Sequence, residues 1–301
     1  MEFLRRAVNP WGQEVFIGIA WDLMWAAAIL GGLFVIGHAV YVWKFAPEGR
    51  DRTPERAVTD GSDLPDRIVR HSRSARAFHW LMSLTMLLLL ITAFVPVIGI
   101  RFPWVTLHWA AGIGLLVTVV YHIVHAWGWQ DMRAMWIGND DIDAGRLNVR
   151  RFFKRSGPPA PKAGKYPVDH KLYHNTIAVV SVAAIVTGLL MMFRVDTPFW
   201  TRNPYILSDA TWGIVYVVHG VSGVALIAMV MAHIYFAVRP EKWWITRSMI
   251  AGWIRRDEFL AHHDPNKWVI DRAPKPPSSK AGVGSGAGIP EGVTRDRARD
   301  S

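Results

Sequence analysis

The sequence predicts an all-α integral membrane protein with five transmembrane helices, and three observations carry that prediction. Apolar residues make up 51% of the 301 positions and gather into five long runs. Each run has about 20 residues or more, enough to cross roughly 30 Å of hydrocarbon as a helix. Lys and Arg crowd into two long connections, while the connections "GIRFPW" and "VDTPFWTRNPYILSD" are short and nearly free of positive charge. Tryptophans (Trp104, Trp109, Trp127, Trp129, Trp200, Trp212, Trp243, Trp244) cluster at the ends of the runs, as interfacial anchors do.

Residues 1–14 form an N-terminal segment ahead of an additional transmembrane helix in 15–45, whose apolar part is Val15–Trp43. That run is long, lacks a small-residue cleavage site and follows "NPWGQE" rather than a compact basic region, so it reads as a helix and not a secretory signal. Residues 46–77 form a basic loop. Residues 78–240 hold the remaining four helices, at Phe78–Ile98, Val105–Trp127, Leu172–Phe193 and Thr211–Val238. A C-terminal segment follows in 241–272, and the Pro, Gly and Ser-rich stretch 273–301 reads as a disordered tail. The charge asymmetry places the long loops and the C-terminus in the cytoplasm and the N-terminus in the periplasm of a bacterial inner membrane. Arg5 and Arg6 run against it.

The net charge of +10 follows this topology, so it points to the membrane and not to nucleic acid. The chain has no Cys, which excludes disulfides, thiolate zinc sites, Cys-ligated iron–sulfur clusters and C-x-x-C-H haem attachment. A redox centre held by this chain must use His or Met.

The last apolar run carries His219 and His233, fourteen residues apart. Fourteen residues of helix rise about 21 Å and return to within about 40° of the starting direction, so both imidazoles share one face at two depths. Ionisable groups at such depths are costly and need partners, and neutral imidazole is a good axial ligand for haem iron. Helix direction puts His108 level with His219 near the outer surface, and His79 level with His233 near the inner one. Gly112 follows His108 by four residues and Gly223 follows His219 by four, leaving the same face open for a flat macrocycle. His122 also follows His108 by fourteen, and spacing alone leaves His79 and His122 as competing inner ligands. His125 is turned by about 60° from His108.

The ordered stretches "AFHWLM", "LHWAAGI", "VTGLL", "VVHGVSG" and "MAHIYFAV" resemble the cytochrome b (gamma) subunit of membrane-bound formate dehydrogenase. "EFLAHHDPNKW" resembles that family's tail motif of paired His and Trp, here His262, His263 and Trp268. The resemblance covers roughly residues 69–268. It implies a four-helix haem-binding bundle with two haem b groups, held by His108 with His219 and by His79 with His233, while His122 matches no family ligand. It further implies an iron–sulfur electron-transfer subunit and a molybdenum or tungsten catalytic subunit as partners, with quinone reduced near the inner surface. Tyr166, His170, Lys171 and His233 are the candidates for lining the quinone pocket. "GKYPVDHK" departs from the family pattern, with Pro167 in place of Asn and His170 in place of Gln, which allows a different quinone. Arg76 is the candidate for a haem propionate; Arg70, Arg73, Lys171 and Arg239 lie nearby, and plain positive-inside topology explains them equally well.

Related subunits serve hydrogenases and thiosulfate reductases, so the catalytic partner stays open at this point. Other readings are a haem-free anchor and a transporter relaying protons through His. The transporter would carry inverted repeats or broken helices, and the sequence has neither. His38 and the first helix fall outside the resemblance. His262 and His263 are expected to be cytoplasmic and hydrated.

Overall fold

The computed structural model describes residues 3–45, 64–130, 132–154 and 161–270. In chain order these form strands β1 (Leu4–Val8) and β2 (Glu14–Ile19), helix α1 (Trp21–Phe45), strand β3 (Arg67–Val69), helices α2 (Arg73–Phe94), α3 (Trp104–Trp129), α4 (Asn139–Lys154), α5 (Val168–Met192), α6 (Asp209–Val238) and α7 (Trp243–Ala251), strand β4 (Trp253–Arg255) and helix α8 (Arg256–His262). Helices α1, α2, α3, α5 and α6 are long and apolar enough to cross a membrane, so the predicted five-helix fold class stands. The tail 273–301 lies outside the described residues.

Local chemistry sets the helix ends. Ser72 caps α2 by accepting from the Ala75 amide at 3.1 Å, and Ser208 caps α6 through Thr211 at 3.3 Å, satisfying amide donors that the helix leaves free. Helix α2 runs into a 3-10 turn, Val95–Ile98, with Pro96 inside it and Gly99 at φ +87° behind it. Pro167 stands directly before α5. That helix begins at Val168, so His170 and Lys171 lie on its first turn and not in the preceding loop.

Helices α2, α3, α5 and α6 form the bundle: α2 packs on α3, α3 on α5 and α5 on α6. Met86, Leu115 and Leu226 make its centre. Helix α1 stands outside it, against α6. Gly31 lets α1 approach the Met231 sulfur, and His38 Nδ1 meets the Tyr235 hydroxyl at 2.8 Å. Here "outer" denotes the end of the bundle where α6 begins and "inner" the end where it finishes.

The expected helix at 15–45 starts later, at Trp21, because Glu14–Ile19 pairs antiparallel with Leu4–Val8. Asn9 makes the turn, its side-chain oxygen accepting from the amides of Trp11 and Gln13, with Gly12 at φ +78°. The hairpin lies on the outer half of α6, where two glycines admit it. A Cβ at Gly213 would fall 2.5 Å from the Phe16 carbonyl oxygen, and one at Gly220 would fall 2.8 Å from Ile19. Gly213→Val therefore forces the hairpin off α6, at about 1–3 kcal/mol for overpacking. The expected result is faster proteolysis within residues 4–19 with the helical circular dichroism unchanged.

At the inner end, segments expected to be loop and tail fold together. Strand β3 pairs with β4, and Ile68, Ile254 and Phe259 form a small core with Trp244 and Trp268 packed around it. Gly252 ends α7 at φ +92°, and its carbonyl accepts from the amides of Arg70 and His71 at 2.9 and 3.0 Å. This cap seats the start of α2. The loop after α3 contains α4, which the sequence reading did not anticipate.

Candidate functional site

The outer site joins α3 to α6. His108 and His219 face each other with ring centroids 6.2 Å apart and ring planes at 75°. Each ring is fixed by a threonine on the neighbouring helix. Thr92 of α2 donates its hydroxyl proton to the carbonyls of Leu88 and Leu89, at 2.7 and 3.0 Å, and lies 2.8 Å from His108 Nδ1. Thr187 of α5 does the same with Ala183 and Ala184 and lies 3.0 Å from His219 Nδ1. Since each hydroxyl proton is spent on backbone, each Nδ1–H is the donor to the threonine oxygen. Both rings therefore present Nε2 as a lone pair, the arrangement in which a partner on one nitrogen sets the tautomer for ligation through the other.

The inner site joins α2 to α6. His79 and His233 stand 6.2 Å apart at 56°, and Tyr173 of α5 stacks on His233 at 5.2 Å while its hydroxyl reaches the Met229 carbonyl at 3.3 Å. His122 is engaged elsewhere: it stacks on Phe78 at 4.1 Å and lies 6.2 Å from the ring of His174. His125 stacks between Tyr121 and Trp129 and bonds Gln130.

These residues fit haem on four counts. Two metal–nitrogen bonds of about 2 Å, with an imidazole on either side, put ring centres roughly 6 Å apart, and both pairs match. Among the described residues no three His, Cys, Asp or Glu side chains converge as a bare metal ion would require, whereas a macrocycle brings four ligands of its own and needs two from the protein. A Cβ at Gly223 would meet nothing within 4 Å, and one at Gly112 would meet only Leu89, at 3.9 Å. Arg76, one turn before His79, hydrogen-bonds the Ile250 carbonyl, while its buried Nε has no partner. That atom is suited to a carboxylate such as a propionate.

The four quinone candidates divide. Tyr166 lies against the Arg70 guanidinium, burial raises its phenol pKa, and His170 lies within electrostatic reach of Arg70, Lys242 and His233. Lys171 instead turns to α4, bonding Asp141 at 2.8 Å and the Trp136 carbonyl at 3.1 Å.

The expectation of hydration holds for His262, which is exposed, and is overturned for His263. His263 has 0% exposure; its Nδ1 donates to the Gly164 carbonyl at 2.7 Å and its Nε2 accepts from Arg70 at 2.8 Å. His262 stacks on Trp244 at 4.6 Å. The Trp-rich cap supplies an interior that the hydrophilic look of "AHHDPNKW" conceals.

Sequence reasoning also missed Thr92, Thr187, Tyr173 and Gly188, where a Cβ would press on His219 at 3.3 Å. Thr187 and Gly188 lie inside "VTGLL". The available signal was a small polar residue in an apolar helix at the depth of a histidine.

A family model described as prokaryotic cytochrome b561 matches residues 70–252, spanning all four bundle helices and α7 and stopping short of the cap strands β3 and β4. No curated protein matches the chain.

Proposed function

The chain belongs to the prokaryotic cytochrome b561 family, haem b electron carriers of the membrane, and from that premise we propose that it holds two haems. His108 and His219 would hold the outer one, and His79 and His233 the inner one. The observation that carries this reading is the repeated geometry: two facing imidazole pairs, each at 6.2 Å, sharing α6 at a fourteen-residue interval.

Haem b, when bound, takes up and gives up one electron at a time, which is the chemistry the protein itself lacks. The protein's part is to hold the ligands. Thr92 and Thr187 hold Nδ1–H of the outer imidazoles and so keep Nε2 aimed across the bundle, and Tyr173 fixes the plane of His233 by stacking. Gly112, Gly188 and Gly223 keep bulk away from the ring faces, and Arg76 offers its free Nε to a propionate.

Electrons enter at the outer end from an iron–sulfur subunit fed by a molybdenum or tungsten enzyme of the formate dehydrogenase type, and leave at the inner end. There one quinone takes two electrons and two protons to become quinol, beside His170, Tyr166 and the cap. With the inner end in the cytoplasm and the outer end in the periplasm, that proton uptake makes electron flow charge the membrane. The resemblance in "VVHGVSG" and "MAHIYFAV" supports the donor class, and the half-buried His170 and Tyr166 beside the buried Arg70 support the acceptor end.

A pyridine haemochrome assay on the purified chain is expected to give two haems b per chain, with reduced-minus-oxidised bands that a quinone analogue reverses. A count of one or none would sink the two-haem reading; two haems that a quinone analogue does not reoxidise would sink the acceptor alone.

A further inference from the structure

Helix α4 has no role in the haem reading, yet its fixing to the bundle is specific. Asp141 in its first turn is ion-paired with Lys171 of α5 at 2.8 Å, and Asp140 with Lys267 at 3.2 Å. Just ahead of it, the Met135 carbonyl accepts from Asn175 of α5 at 3.4 Å. A Cβ on Gly145 would touch Val168 at 3.9 Å, where α5 starts. The start of α4 is thus pinned to the first turn of a membrane-spanning helix, while Asp143 pairs with the exposed Arg146 at 3.4 Å.

Another side of α4 faces outward. Ile142 and Val149, 44% and 58% exposed, are seven residues apart and so lie within about 20° of one direction. Arg146 follows Ile142 by four residues and Arg150 follows Arg146 by four, so a row of guanidinium groups flanks the apolar stripe, displaced from it by about 40° per step. Both arginines are exposed. Trp129 and Trp136, at the ends of the connection into α4, are exposed as well, as interfacial tryptophans are. An apolar stripe bordered by arginine at headgroup depth complements an anionic lipid surface: aliphatic side chains enter the acyl boundary while Arg forks take phosphate.

We propose that α4 is an interfacial helix that binds an anionic phospholipid. Ile142 and Val149 enter the leaflet on the side of the two long loops, and Arg146 and Arg150 grip the headgroup phosphate. The inference is independent of the haem assignment. Lys171, expected in the quinone pocket, gains a different purpose here, since it holds α4 at the membrane surface.

Two measurements on the full-length chain test it. Native mass spectrometry of protein offered equal phosphatidylglycerol and phosphatidylcholine is expected to show selective retention of the anionic lipid. In the double variant Arg146→Gln/Arg150→Gln that selectivity falls by about thirtyfold, as expected from losing two basic side chains at a membrane surface. An unchanged haem spectrum and circular dichroism show that the variant has folded. Because the chain has no Cys, Ile142→Cys or Val149→Cys carries a unique spin label. In nanodiscs containing phosphatidylglycerol, collisions with oxygen are expected to exceed those with an aqueous nickel complex. Equal retention of the two lipids by the natural sequence, selectivity undiminished in the double variant, or a label facing water, each overturns the proposal.

Discussion

Replacing His79 with alanine is expected to lower haem content from two per chain to one, about half the pyridine haemochrome signal, while replacing His122 leaves both haems in place. The two residues are alternatives by spacing, since each lies at the inner depth with a helical face toward the bundle. Their surroundings separate them. His79 faces His233 of α6, the helix that also supplies His219 of the outer pair, whereas His122 meets His174 of α5 at the same 6.2 Å. His122 lies flat on Phe78 with ring planes 11° apart, which covers one face of the imidazole and orients it toward His174. A residue that acts only by packing would lower stability when removed without selecting one haem. A ligand removes its own haem and leaves the outer pair's spectrum. Loss of the inner haem in His122→Ala but not in His79→Ala would reverse the assignment. Exogenous imidazole restoring the signal in His79→Gly would show that the missing group is a ligand and not a packing element.

Much of this arrangement was legible because membrane helices carry so few ionisable residues. A histidine in "VVHGVSG" stands out, and the 3.6-residue period converts its distance from His233 into depth and direction. The bundle's four long helices were readable for the same reason, since hydrocarbon thickness sets a minimum apolar length. What escaped was short-range or depended on two distant segments. "EVFIGI" is as apolar as the helix that follows it, and its strand partner "LRRAV" looks polar, so hydrophobicity alone merged the strand into α1. Gly213 and Gly220 read as ordinary small residues of a membrane helix, and their purpose becomes visible only against Phe16 and Ile19. Thr92 and Thr187 were passed over because a threonine in such a helix usually spends its hydroxyl on the preceding turn. Here each does that and still accepts from a histidine, which no local pattern reveals. The cap escaped because its core unites residues near 68, 165 and 260, each unremarkable in its own segment.

Arg70→Ala is expected to open that cap by about 3 kcal/mol, roughly a hundredfold in the local opening equilibrium, from the loss of two hydrogen bonds made by a charged group. Arg70 is 2% exposed. It donates to His263 Nε2 at 2.8 Å and to the Lys165 carbonyl at 3.2 Å, and lies over the rings of Tyr166, Trp244 and Trp268. Burial lowers its pKa to about 10, so it stays charged at neutral pH. Because its partners are a neutral imidazole, a carbonyl and three π faces, the cap also depends on pH. Burial first, and then the Arg70 charge, hold the His263 imidazole at a pKa of about 4, against 6.5 for the free side chain. Burial and the same charge hold His71 at about 3. The folded cap therefore binds fewer protons than the opened one below about pH 6.5, and its stability falls as the pH drops from there toward 4. Limited proteolysis between residues 253 and 270 should accelerate over that window in the natural sequence, and should be fast already at pH 7 in Arg70→Ala. Arg70→Lys should not restore protection, because an ammonium offers a point charge where a planar fork spans two acceptors. Protection by lysine equal to that by arginine would mean that charge alone holds the cap, and that the fork geometry joining α2's start to His263 contributes nothing.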